Sequence, residues 1–359
     1  VSRKVFFTPG PAHLYPTYEN HLKSALDAQI PSISHRSNQF RSIYQDTFES
    51  LKELFNLPDG YAILFTSSAT EIWERLIQNC VEESSFHLVN GEFSRKFYEF
   101  AGLLGKKAHR QEAVFGEGFE LDKVEIDYKS ELIAVVHNET SSGVAMPEAD
   151  IHALKAKNSK RLVVVDMVSS APYPRLDFSQ IDSAYFSVQK AFGMPAGLGV
   201  WLVKETCLAK AEVLQKKSLI TGTYHRLTNL WKFFEKYETP ETPNVLAIYL
   251  LGKIAQDMLV KGIEKIRQET DHKAQLLYDF FASDARFSVF VKNPAHRSPT
   301  VVVANTQMKA GDLIKQMTEK GMVLGSGYKD YKDSQIRVAN FPAVSVEETE
   351  KLISEMKSL

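Results

Sequence analysis

The chain has 359 residues, 44% of them hydrophobic and 24% charged, with 43 basic against 44 acidic side chains and a formal net charge of -1. That length exceeds the roughly 250–300 residues at which one hydrophobic core divides, so two domains are expected, and so even a charge balance argues against a nucleic-acid or anionic-membrane partner. The two cysteines, Cys80 and Cys207, are too few and too far apart for a disulfide framework or a zinc cage, which points to no bound metal and a reduced, cytoplasmic setting.

Along the chain, the N-terminal Val1-Ser2-Arg3-Lys4-Val5-Phe6-Phe7 reaches Thr8-Pro9-Gly10-Pro11 too soon to house a signal-peptide core, and no apolar run approaches the roughly 20 residues that span a bilayer. A soluble chain is expected. Ala62-Ile63-Leu64-Phe65 reads as a strand leading through Thr66-Ser67-Ser68-Ala69-Thr70 into a helix ending near Asn79. Leu132–Val136 and Leu162–Val165 are continuous apolar runs, as strands buried on both faces of a parallel sheet require. Ala184–Phe186 and Val200–Val203 add two more, and strands alternating with helices predict an α/β sheet flanked by helices.

After about Pro243 the pattern changes. A long helix is predicted from Leu246 to about Arg267 and another over Lys273–Phe281, then strands at Phe287–Val291 and Thr300–Val303, a helix near Asp312–Lys320 and a strand at Ile336-Arg337-Val338. Ser345-Val346-Glu347-Glu348 has the spacing of a capping box, with Ser345 at N-cap and Glu348 at N3 of a last helix. The expected division is an N-terminal arm over 1–14, a large domain over 15–245 and a smaller α+β domain over 246–359.

Chemistry concentrates at the ends of strands. Asp166 follows Leu162–Val165, where open α/β sheets place ligands, although an Asp there also serves as an ordinary turn or helix cap. Lys190 follows the strand at Ala184–Phe186 and precedes Ala191-Phe192-Gly193-Met194-Pro195; a lone lysine is ordinarily a surface residue, yet a buried one loses its charge and attacks carbonyls. A strand-end Asp facing a strand-end Lys meets two needs of pyridoxal phosphate, an imine-forming amine and a carboxylate for the pyridinium nitrogen. Ser67-Ser68-Ala69-Thr70, at a strand-to-helix junction, offers free amides and hydroxyls for a phosphate, although Ser and Thr are also common caps.

Thr8-Pro9-Gly10-Pro11-Ala12, Ser34-His35-Arg36-Ser37, Asn138-Glu139-Thr140-Ser141-Ser142-Gly143-Val144, Asp166, Gln189-Lys190 and Ile336-Arg337-Val338 occur in this order over nearly the whole chain. Together they resemble the class V, fold-type I aminotransferases, and within them the type that acts on phosphoserine. The resemblance implies a large domain with a mainly parallel sheet of seven strands, a smaller C-terminal domain and pyridoxal phosphate as cofactor. It also implies small amino-acid and 2-oxo-acid substrates and a homodimer with shared sites. Lys190 would form the Schiff base and carry protons, Asp166 would pair with the pyridine nitrogen, and Thr140 would bond the ring hydroxyl. Phe93 would stack on the ring where relatives carry Trp. Gln189, Ser169 and Ser68, Ala69 and Thr70 would hold the phosphate, with Thr242 lent to the site of the other subunit. Glu241 departs from the Asn usual in relatives.

For the substrate, the resemblance makes Arg337 the clamp for the α-carboxylate and His35 and Arg36 the pair reaching its distal group, often from the partner; the plain alternative is that Arg36 pairs with carboxylates of the following helix. A second His-Arg pair expected before Arg337 is missing. Gly325-Ser326-Gly327-Tyr328-Lys329-Asp330-Tyr331-Lys332 stands there, closer to the loop of alanine–glyoxylate and serine–pyruvate relatives, with Lys329, Lys332 or the distant His296-Arg297 as replacement charges. Phosphoserine:2-oxoglutarate transamination, as in serine biosynthesis, is the leading expectation, and serine– or alanine–glyoxylate/pyruvate transamination the second. A cysteine desulfurase needs an exposed cysteine in the smaller domain, which Cys80 and Cys207 do not supply, and a non-catalytic relative would have lost Lys190 or Asp166.

Overall fold

The computed structural model describes residues 3–359. In chain order its strands and helices are β1 (Val5–Phe7), α1 (Tyr18–Asp27), α2 (Asn38–Phe55), β2 (Tyr61–Thr66), α3 (Ala69–Cys80), β3 (Ser84–Val89), α4 (Glu92–Leu103), β4 (Lys107–Glu112) and β5 (Leu132–Val136). A short hairpin of β6 (Asn138–Glu139) and β7 (Val144–Ala145) follows, then α5 (Glu148–Lys157), β8 (Leu162–Asp166), β9 (Ser183–Ser187), β10 (Gly199–Lys204), α6 (Glu205–Lys216) and α7 (Leu227–Phe234). The chain ends with α8 (Val245–Lys261), α9 (Ile263–Ser283), β11 (Phe287–Val289), β12 (Val301–Thr306), α10 (Ala310–Glu319), β13 (Met322–Ser326), β14 (Gln335–Ala339) and α11 (Val346–Lys357).

Seven strands form the first sheet in the order β2-β10-β9-β8-β5-β3-β4. Its centre is parallel, and β10 is antiparallel to both β2 and β9, so β2 runs in the same direction as β9. The C-terminal ends of all strands except β10 therefore meet at one edge. The two-residue period of a strand sorts its side chains between two helical layers. Ile63, Ile133, Val163, Ala184 and Val200 face the core containing α2, α5 and α8. Their neighbours Leu64, Ala134, Val164, Tyr185 and Trp201 face the core of α3, α4, α6 and α7. Burial on both faces explains the unbroken apolar runs, and each fully buried large aliphatic side chain contributes about 1.5–3 kcal/mol.

The second sheet has the order β1-β13-β14-β12-β11. Ile336 and Val338 face a core shared with α9, α10 and α11, so Arg337 and Ala339 face the first body, where Ala339 packs with Ala191, Val301 and Val303. The N-terminal segment adds β1 to the edge of this second sheet, parallel to β13, before Pro9–Pro11 cross to the first.

The helix expected from Leu246 to Arg267 is two helices. They meet at Gly262, which adopts φ +88, a conformation that β-carbon-bearing residues avoid. α8, which begins at Val245, places Ile248, Leu251, Ile254 and Ala255 in the first core. Among the described residues no helix is long and apolar enough to cross a membrane.

The capping box forms as its spacing predicts: Ser345 Oγ accepts from Glu348 N at 3.1 Å and Glu348 Oε2 accepts from Ser345 N at 2.8 Å. Replacing Ser345 with alanine should lower the unfolding free energy by about 1 kcal/mol, read as a shifted urea midpoint with unchanged slope.

Candidate active site

A cavity of about 270 Å³ opens at the C-terminal edge of the first sheet, closed from the other side by the second. Asp166 from β8, Gln189 and Lys190 after β9, Asn138 and Thr140 after β5, and Ser68, Ala69 and Thr70 after β2 reach it from one body. Tyr328 and Arg337 reach it from the other, and Pro9, Gly10 and Pro11 pass between. Its position is where a parallel sheet leaves strand ends and helix N-termini unpaired. A larger concavity of about 810 Å³ lies at the opposite, N-terminal ends of β5 and β8, among Lys129, Lys157 and Lys160, and holds none of the expected residues.

Lys190 is buried, and its Nζ donates to Thr140 Oγ1 at 3.0 Å. Burial disfavours the ammonium more than Asp166 supports it, and Arg337 disfavours it further, so the pKa falls to about 8. Asp166 moves the other way: burial raises it to about 6, against the stabilising donors Val168 N at 2.9 Å and Trp73 Nε1 at 3.1 Å. Near neutral pH it is an anion with lone pairs to spare, since a carboxylate accepts about four hydrogen bonds. Gly10 permits this geometry. Its φ is +133, and a Cβ there would come within 3.0 Å of Lys190 Cε.

Arg337 donates from Nε to Ser326 O at 2.7 Å and from one terminal nitrogen to Thr140 O at 3.2 Å. Burial lowers its pKa from the ordinary value, with no carboxylate in ion-pair contact among the described residues. Thr140 thus touches Lys190 with its hydroxyl and Arg337 with its carbonyl, joining the two bodies. The Phe93 ring centroid lies 5.3 Å from Lys190 Nζ, and its ring meets Tyr328 edge-on at 5.8 Å.

Other expected residues lie around this centre. Ser169 is fully buried behind Asn138, donating to its carbonyl at 2.8 Å and accepting from its side-chain nitrogen at 2.7 Å, and does not line the cavity. His35 is half-buried and Arg36 exposed, and neither lines the cavity. Arg36 donates to Glu238 Oε2 at 2.9 Å and Thr239 O at 2.7 Å, so its partner is a distant loop and not the following helix. That loop also carries the exposed Thr242. Lys329 pairs with Glu92, and Lys332 is exposed. His296 and Arg297 lie on another loop, with Arg297 bonded to Val291 O at 3.1 Å. Cys80 and Cys207 are buried within α3 and α6.

Four participants escape sequence reasoning. Trp73 orients Asp166 and stacks on Phe97 at 5.6 Å. Glu139, with no exposed surface, accepts from Phe93 N at 3.2 Å and Ser94 N at 3.0 Å, capping α4 where the aromatic side chain emerges. Its place within Asn138-Glu139-Thr140 was the available signal. Around α3, Glu71 accepts from Ser67 N at 2.9 Å and pairs with His225 Nδ1. His225 Nε2 stands 3.1 Å from Glu241 as a charge pair without hydrogen-bond alignment. Burial alone would lower His225, but Glu241 and Glu71 raise it to about 9. Burial alone would likewise raise Glu71, which His225 and Ser67 hold at about 2. Glu241 thus shares a single cation with Glu71 beside the start of α3.

The arrangement has room and chemistry for an aldehyde cofactor bearing a phosphate. Lys190 offers an amine, Asp166 an anion at a strand end, and Ser68–Thr70 the start of a helix. Gln189 lines the cavity with its buried Oε1 unpartnered among the described residues; that oxygen accepts only, so a phosphate oxygen there would be met by the side-chain amide nitrogen.

A family model described as Aminotransferase class-V matches residues 8–331. The phosphoserine aminotransferase of Rhodococcus opacus (strain B4) is 27% identical over 355 residues, covering 96% of this chain and 92% of that protein. A solved phosphoserine aminotransferase from Cytophaga hutchinsonii ATCC 33406 is 47% identical with a TM-score of 0.98, covering 100% of this chain and 99% of that one. An alanine–glyoxylate aminotransferase from Nostoc sp. shares the fold at TM-score 0.86 and 19% identity, over 100% of this chain and 95% of that one.

Borohydride trapping of an aldehyde on Lys190 should rise with pH through a midpoint of about 8 in place of 10.5, and disappear in Lys190→Ala, as peptide mapping would show. The raised pKa of His225 stabilises the fold fully below 6.5, and that gain is lost as pH climbs through about 9. The melting-temperature gap between the protein and His225→Gln should therefore be largest near pH 6 and vanish above about 9.

Proposed function

We propose that this chain, which belongs to the class V aminotransferase family, transfers the amino group of phosphoserine to 2-oxoglutarate with pyridoxal phosphate held at Lys190. The observation that carries the chemistry is the convergence of Lys190, Asp166, Thr140 and Arg337 on one cavity between the two sheets. The substrate assignment rests on the similarity to the Cytophaga hutchinsonii enzyme together with the cationic wall at Arg337. A place in serine biosynthesis and a cytoplasmic setting fit this reading.

When bound, pyridoxal phosphate supplies an aldehyde and an electron-withdrawing ring that stabilises negative charge at the substrate Cα. Asp166, deprotonated above about 6, holds the protonated ring nitrogen, and Trp73 with Val168 N keeps that carboxylate oriented. Phe93 would meet the ring and Thr140 would bond its hydroxyl. Ser68, Ala69, Thr70 and Gln189 would hold the phosphate, with Ser169 positioning Asn138. Arg337 holds the substrate α-carboxylate with its remaining donors. Lys190 Nζ moves the proton: a pKa of about 8 lets it take one near neutrality and return it.

We further propose a homodimer in which His35, Arg36 and Thr242 serve the neighbouring subunit. Arg36 bonds the Glu238–Pro240 backbone and side chains that lead to Thr242, so both contributions belong to one surface. A closed two-fold pair is the commonest way to share such a surface.

Single-turnover absorbance spectra test the substrate. Phosphoserine should discharge the cofactor band with at least tenfold higher kcat/KM than serine or alanine, a difference of about 1.4 kcal/mol in transition-state binding. Equal or better response to serine or alanine would assign the glyoxylate or pyruvate reaction in its place.

A further inference from the structure

Neither lysine of the Tyr328–Lys332 segment supplies the cation that the sequence lacks beside Arg337: Lys329 is engaged by Glu92, and Lys332 is exposed. A cation is present nonetheless, and it comes from a different element. Lys96 lies one turn into α4 from Phe93, on the same helical face. Its Nζ donates to the Tyr328 hydroxyl at 3.2 Å and stands 5.5 Å from the Phe93 ring centroid and 5.8 Å from that of Tyr328. Both rings line the cavity.

The same two rings carry the other cations of the site. Lys190 Nζ lies 5.3 Å from the Phe93 centroid and the Arg337 guanidinium 5.4 Å from that of Tyr328. Three basic side chains thus share two aromatic rings, Lys190 and Arg337 lining the cavity and Lys96 standing beside the rings outside its lining, and among the described residues none of the three has a carboxylate in ion-pair contact. Glu92, the acidic residue one turn before Lys96, is taken by Lys329. Aromatic faces compensate a cation less well than an anion does, so such a cluster is built to receive negative charge from outside. Arg337 accounts for one carboxylate, and Lys96 remains for a second.

We infer that Lys96 is a specificity-determining residue that binds the distal anionic group of the substrate while Arg337 binds the α-carboxylate. The inference rests on the aminotransferase reading and extends it to a substrate class: amino acids with an anion at each end. A lysine suits the task better than a second arginine. Its flexible stem and three rotatable donors accept a phosphate in one half-reaction and a carboxylate in the other, whereas a planar fork favours one geometry. Phe93 and Tyr328, which flank the Lys96 ammonium, also border the cavity, so a side-chain rotation about the flexible stem is all that is needed to bring the charge to a ligand there.

The test uses the holoenzyme and its Lys96→Gln and Lys96→Arg variants, with phosphoserine, glutamate and serine as donors. Lys96→Gln should raise KM for phosphoserine and for glutamate about 10- to 100-fold, as expected for loss of a charged hydrogen bond, with a smaller fall in kcat. The selectivity for phosphoserine over serine should fall by the same factor, and Lys96→Arg should restore most of it. Thermal midpoints within about 2 °C of the parent would show that the variants fold alike. Selectivity unchanged in Lys96→Gln, or lost equally in Lys96→Arg, would overturn the assignment of Lys96 alone. A parent enzyme with no preference for anionic donors would overturn the phosphoserine reading and this one together.

Discussion

The burial of one ammonium group governs this structure. Lys190 sits at the edge of the first sheet with its charge removed from water, and a buried charge persists only where neighbours replace the lost solvation. Asp166 supports it from across the cavity without forming an ion pair, Thr140 accepts one hydrogen bond, and Arg337 opposes it. Desolvation wins, and the amine is poised at about 8, where a proton is neither held nor lost permanently. A direct salt bridge would have locked the charge and removed the reactivity. Gly10 belongs to the same constraint, because any side chain there would strike the lysine stem.

Around that amine, each supporting contact has a structural origin. Glu139 is a buried carboxylate stabilised by backbone donors at the start of α4, which aims Phe93 into the cavity and presents Lys96 one turn later. Thr140, its neighbour, bonds Lys190 from one body and Arg337 from the other. A two-residue hairpin therefore sets the aromatic wall and ties the two sheets at the point of chemistry. β1 gives a second tie, because the segment that pairs with β13 continues directly over Lys190.

The loops outside the cavity are held by charge. His225 lies between Glu71 at the start of α3 and Glu241 on the loop carrying Thr242, so one imidazolium ties that loop to α3. Arg36 and Arg41 converge on the buried Glu238. Arg36 is thus held by contacts within this chain to the loop that leads to Thr242.

The parts that depend on local pattern are legible along the chain. The apolar runs of β2, β5, β8, β9 and β10 announce strands buried on both faces, Ser345 and Glu348 announce a cap, and Asp166 and Lys190 are legible because strand ends carry the ligands of α/β sheets. Other strands, β3, β4 and β13 among them, gave no such signal. β3 is fully buried yet contains Ser84, Ser85 and His87, with Ser85 Oγ hydrogen-bonded to His87 Nε2 at 2.9 Å and His87 Nδ1 left without a partner among the described residues; β4 is a polar edge strand, and β13 is short and ends in Gly-Ser. Which charges are spoken for emerges only when distant elements pack together. Arg36 finds Glu238 202 residues away, Lys329 finds Glu92, and Lys96 is left without an anion beside Tyr328, 232 residues on. Periodicity records which face of an element is buried. The partner of a charge depends on how distant elements pack, and no local pattern carries that information.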